Sequence, residues 1–130
     1  MLKKNDYVAL SAFRSQLAHF LRFSDRAARA AGITPTQYLL LLHLRGFRER
    51  DWASVGELAQ CLRASPHGTG ALVMRCEAQG LVRRQRNEHD ARLVEVHLTP
   101  RGRERVEQIA ARNHGELQSL RGVFRVSNIS

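Results

Sequence analysis

Residues 65–73 read Ser-Pro-His-Gly-Thr-Gly-Ala-Leu-Val, and the Gly-Thr-Gly poses a choice between a phosphate-cradling loop and the opening of a helix. A phosphate loop requires a preceding strand and a lysine in the GxxxxGK arrangement, and the sequence has neither. Ser65 followed by Pro66 instead supplies an N-cap and a first helical residue. Thr69, Leu72, Val73 and Cys76 then recur at helical spacing, and Gly80 stands where a helix stops. The stretch therefore opens a helix over residues 66–79. Its two glycines cost about 1 kcal/mol each relative to alanine, so they are either kept for a reason or overridden by packing.

Moving outward, Ser54 to Glu57 has the form of a capping box, and Val55, Leu58, Ala59 and Leu62 make an inward stripe. This predicts a short helix over 55–62, joined to the next by the tight turn Arg63-Ala64. The pair is a helix-turn-helix. Beyond it, Leu81–Arg86 and Leu93–Leu98 read as strands around the polar turn Asn87–Asp90. That is a hairpin with a charged tip, a wing. Upstream, Thr34, Pro35 and Gln37 signal the start of a helix over 35–47, apolar almost all round from Tyr38 to Leu44 and so expected to be buried on most sides. Trp52, in the connection that follows, is expected to cap the edge of the core.

Two flanks remain. Between Lys4 and Ala31, Leu10, Phe13, Leu17, Phe20, Leu21 and Ala28 recur with arginines between them, a long amphipathic helix that Gly32 ends. Thr99-Pro100 starts a last helix, in which Val106, Ile109, Ala110, Asn113, Leu117, Leu120 and Phe124 follow a rough 3,4 spacing interrupted at Gly115 and Gly122. These flanks carry more apolar face than one small winged domain needs, and dimerisation is the simplest use for it. The expected fold is mainly α with a small β-wing. It is a single domain over residues 1–130, with a winged helix-turn-helix at 34–98 between dimerisation helices at 1–32 and 100–130.

Charge narrows the partner class. Lys and Arg number 21 against 12 Asp and Glu, a formal net charge of +9, and all but Lys3 and Lys4 of the basic residues are arginine. Such a surface attracts polyanions, and arginine suits bidentate contact with phosphate or guanine. Cys61 and Cys76 fit neither a disulfide framework nor a CxxC zinc site, which makes a reducing cytoplasm the default. The most apolar run, Tyr38–Leu44, is too short to span a membrane. No GxSxG, HExxH or Gly-rich phosphate loop points to an enzyme. The six histidines include no i,i+4 pair, so neither a metal nor another cofactor is expected.

The run Asp90-Ala91-Arg92-Leu93-Val94-Glu95-Val96-His97-Leu98-Thr99-Pro100-Arg101-Gly102, with SVGELAQCL at 54–62 and LVMRCEAQGLVRR at 72–84, resembles the MarR family of bacterial winged helix-turn-helix regulators. The resemblance covers nearly the whole chain. It implies a homodimer with interlocked terminal helices that binds a palindromic operator in double-stranded DNA, acts as a repressor, and is nucleoid-associated when bound. It also implies release by a small aromatic or phenolic effector in a crevice between the dimer helices and the DNA-binding lobe, or, in some relatives, control by cysteine oxidation.

On this reading Ser65, His67 and Thr69 are the polar groups at the start of the recognition helix, Thr69 reading equally as half-buried, and Arg75 reaches a phosphate. Gly68, Gly70 and Ala71 stand where relatives often carry polar groove-facing side chains. They permit close approach but give little hydrogen-bond readout beyond a thymine-methyl contact at Ala71. Weight then shifts to groove shape and to the wing. There the resemblance implies Arg92 in the minor groove with Asp90 orienting it. Arg84 and Arg86 either add phosphate contacts or form a solvated edge that discourages sheet pairing.

A crevice bounded by the first, second and fifth helices presents His19, Arg22, Tyr38 and His43 to an anionic aromatic acid, unless they are core residues. Cys61 lies off its helix's inward stripe and near Arg63, which makes it the redox candidate; Cys76 reads as core. The competing readings are a winged-helix protein-interaction adaptor and a redox-sensing regulator.

Overall fold

The computed structural model describes residues 1–120; the expectations placed on Gly122, Phe124 and the VSNIS end lie outside them. In chain order the elements are α1 (Lys4–Ala30), α2 (Pro35–Arg45), β1 (Trp52–Ala53), α3 (Val55–Leu62), α4 (Pro66–Ala78), β2 (Val82–Arg86), β3 (Val94–Leu98) and α5 (Pro100–Ser119). Four helices begin at the same device: the Thr34, Ser54, Ser65 and Thr99 hydroxyls accept from the backbone N–H groups of Gln37, Glu57, Gly68 and Gly102. Each such cap contributes about 1 kcal/mol, and proline at the first position reinforces three of them. The exits from α1 and α4 need left-handed backbone, taken by Gly32 (φ 85°) and Gly80 (φ 74°).

α2 is the hub. Tyr38, Leu40, Leu41 and Leu44 are buried in one cluster with Leu58 of α3, Val73 and Cys76 of α4, Val96 of β3, and Val106 and Ile109 of α5. The helix is not closed all round, because Leu39 is 42% exposed. It also ends at Arg45 rather than Phe47, with Gly46 as its cap. Burial pushes the Cys76 thiol up to about 11, as befits a small core residue.

The sheet has three antiparallel strands in the order β1-β3-β2. β2 and β3 pair from Val82 opposite Leu98 to Arg86 opposite Val94, and β1 sets Trp52 against His97 and Ala53 against Val96. The sequence reading placed Trp52 in a connection. Two residues are too few for an alternating pattern to register, and β1 exists because Ala53 is fully buried against its partner strand.

α5 is seated by backbone contact. Thr99 Oγ1 donates to the Gly80 carbonyl at 2.6 Å, and Thr99 N donates to the Leu81 carbonyl at 3.1 Å. A Cβ at Gly102 would overlap the Leu81 carbonyl oxygen and lie 2.9 Å from its carbon, so only glycine fits there. The helix then runs without a break through Gly115, where an interruption was expected. α1 packs along it through Ala27 and Ala28, with Asn113 Nδ2 donating to Ser24 Oγ at 3.0 Å and Arg112 over the Phe23 ring at 6.0 Å. Leu2, Tyr7, Val8, Leu10 and Leu21 of the N-terminal segment and Leu117 of α5 remain exposed.

Candidate nucleic-acid interface

The turn between α3 and α4 is made by Arg63 in the left-handed region (φ 53°), with Ala64 N donating back to the Ala59 carbonyl at 3.0 Å. α4 turns Thr69, Leu72, Val73 and Cys76 into the core. At its far end Gln37 Nε2 donates to Gln79 Oε1 at 3.2 Å, tying it to the hub helix. Thr69 therefore corrects the sequence reading. Only 1% exposed, with no hydrogen-bond partner for its hydroxyl, it faces the core rather than the groove, as its 3,4 spacing with Leu72, Val73 and Cys76 dictates.

The outward face of α4 carries exposed His67, Gly68, Arg75 and Ala78, with Gly70 and Ala71 half-buried. Ser65 is exposed as well as capping, and accepts from Gly68 N at 3.0 Å. A Cβ at Gly68 would come within 3.0 Å of that hydroxyl, whereas one at Gly70 would meet nothing within 4 Å. Met74, 57% exposed on the same face, was not singled out from the sequence. Its signal was its absence from the inward stripe.

The wing is pre-organised from its tip inward. Asn87 Oδ1 accepts from the backbone of His89 and Asp90, both at 2.9 Å, and Asp90 Oδ1 accepts from Arg92 N at 3.0 Å and Arg92 Nε at 3.3 Å. The Arg92 side chain is 93% exposed, so Asp90 aims it without covering it. Below the tip, Glu95 accepts from Asn87 Nδ2 at 2.5 Å and lies 2.8 Å from His97 Nε2. These bonds, that of His97 foremost, hold the Glu95 carboxyl below the usual carboxylate range.

Arg84, read from the sequence as either a phosphate contact or a solvated edge, has a partner that neither reading named. Its backbone N–H and its guanidinium both bind Glu77 of α4, at 3.1 and 2.9 Å, which lowers the Glu77 carboxyl in turn. The pair fastens the wing to α4. Arg86 is exposed. Behind α3, Arg50 binds Glu57 and lies over the rings of Phe47 and Trp52 at 5.0 and 4.3 Å, with the Glu57 carboxyl lowered chiefly by that bond.

The four crevice residues do not converge. His19 is 3.0 Å from Glu116 of α5, Arg22 is exposed, and Tyr38 is a buried hub residue. His43 lines a shallow cleft with Leu42, Gly46, Phe47, Arg48 and the exposed Cys61, and burial lowers its pKa. Among the described residues no three His, Cys, Asp or Glu side chains are grouped to hold a metal, and no helix is long and apolar enough to cross a membrane.

A helix-turn-helix whose second helix is fastened to an arginine-tipped hairpin defines a winged-helix protein. Its lineage follows from comparison. The MarR family model matches residues 31–93, from the end of α1 to the wing tip, so the winged core of this chain is similar to MarR-family domains. The whole fold agrees with solved members. A MarR family protein from Bacillus stearothermophilus is similar with a TM-score of 0.78 and 25% identity, over 99% of this chain and 89% of that one. AbsC, a MarR family transcriptional regulator from Streptomyces coelicolor, gives 0.78 and 20% over 99% and 87%. A mutant of S. aureus MepR bound to an oligodeoxyribonucleotide gives 0.72 and 20% over 97% and 88%. No sequence among curated proteins matches the chain.

Proposed function

We propose that this protein is a transcriptional repressor that binds a palindromic operator in duplex DNA as a homodimer. The observation that carries the reading is the tie between helix and wing: Glu77 and Arg84 hold the hairpin against α4 while Asp90 presents Arg92 to solvent. α4 has the dimensions to enter a major groove, and an arginine on a rigid tip suits the adjoining minor groove. Ser65, His67, Gly68, Gly70 and Ala71 form the groove-facing start of α4, and Arg75 and Arg86 meet phosphates. The exposed apolar residues of the N-terminal segment and α5 supply the contact between two copies. Such a protein works in the cytoplasm on nucleoid DNA.

Release by an effector fits two clefts that share Ala31 and Arg105 at the junction of α1 and α5. One, of about 220 Å³, adds Gln108 and Arg112; the other, of about 330 Å³, adds Gln79 and Arg101. Arginines at this junction suit a small anionic aromatic acid better than the four dispersed residues His19, Arg22, Tyr38 and His43.

The test is selection of random duplex DNA by the full chain at near-physiological salt. The expected product is a two-fold symmetric motif with half-sites about one helical turn apart. Weak, unselective binding abolished by modest salt overturns the reading.

A further inference from the structure

We propose that α4 reads thymine C5-methyl groups through Met74, over a surface left open at Gly70, an inference that rests on the duplex-DNA reading above. Met74 is 57% exposed on the outward face of α4, one turn beyond Gly70 and Ala71, so the three positions share one strip of the helix surface. None of these three side chains carries a strong hydrogen-bonding group. Gly70 lies inside the helix, is absent from the residues with positive φ, and has nothing within 4 Å of the position a Cβ would take. Neither backbone conformation nor packing within the chain calls for glycine there, so its helix penalty is not offset inside the protein. Room for an outside surface to approach is the compensation.

Charge decides which surface that is. Exposed Arg75 stands beside Met74, and exposed Arg83, Arg86 and Arg92 lie on the attached wing of a chain with net charge +9. An apolar protein partner would leave those cations unmatched, whereas duplex DNA meets them with phosphates. In the major groove the one apolar group on a base edge is the thymine methyl.

The experiment takes the duplex selected by the full-length protein and replaces each thymine singly by deoxyuridine, which removes the methyl and keeps every hydrogen-bonding group. Binding is expected to weaken about three- to fivefold at the positions under Met74, the value of one buried methyl-sized group. Met74→Ala is expected to bind thymine and uracil duplexes alike at those positions. Gly70→Ala is expected to raise the melting temperature while weakening binding to the same duplex, which separates contact from folding. Equal affinity for thymine and uracil duplexes, with sequence selection intact, overturns methyl reading and leaves the regulator standing. Failure to select any sequence overturns both.

Discussion

Gly70 and Gly102 are both helical glycines and have opposite reasons. Gly70 has empty space where a side chain would start, while a Cβ at Gly102 would collide with the Leu81 backbone. Gly102→Ala is therefore expected to destabilise the fold by about 3 kcal/mol, the upper range for overpacking a site that cannot relax, measured by denaturant unfolding. Arg92→Ala should leave the melting temperature unchanged, since the side chain is 93% exposed, and weaken operator binding by about 1–3 kcal/mol in a titration. Residue roles were unevenly legible. Cys76 and the Ser65 cap followed from spacing and residue type alone. Thr69 was misplaced because a hydroxyl suggests a polar role even when its position belongs to the core stripe, and the Glu77 partner of Arg84 was not legible because it is fixed only when the hairpin folds onto α4.

At the scale of elements, caps carried most of the legible fold: Thr34, Ser54, Ser65 and Thr99 each announced a helix start that the structure has. What escaped the sequence, β1 and the continuity of α5 through Gly115, depends on tertiary pairing and packing rather than local preference. The wing and the two helices before it share a pH signature. The carboxyls of Glu57, Glu77 and Glu95 are all lowered in the folded chain by their partners. Their stabilisation is thus fully present above the ordinary value of 4.5 and is lost as pH falls through the lowered folded values. Thermal melts between neutrality and strong acid should show stability declining in that window, and Glu77→Gln should make the decline shallower. A Glu77→Gln melt that parallels the parent at every pH would show that the Arg84 tie adds nothing to folding.

At the scale of the whole molecule, α1 is a 27-residue helix whose buried residues, among those described, are Ala27 and Ala28. The apolar side chains left exposed along it suit the contact with a second copy proposed above. Leu10→Asp, at a site 47% exposed in the single chain, is expected to leave the winged lobe folded, shift the mass by light scattering from dimer to monomer, and weaken operator binding at least tenfold by removing the second half-site. A dimeric Leu10→Asp variant would place the contact elsewhere. The seam at Gly102 bears on how such a dimer moves. Side chains between packed helices can slide and repack, but where α5 meets Leu81 the contact is main chain on main chain, with no compressible layer between. In the proposed dimer α5 and the winged lobe would then swing as one lever arm, and a tilt of a few degrees where two copies meet would be delivered undamped to the distance between their two reading heads.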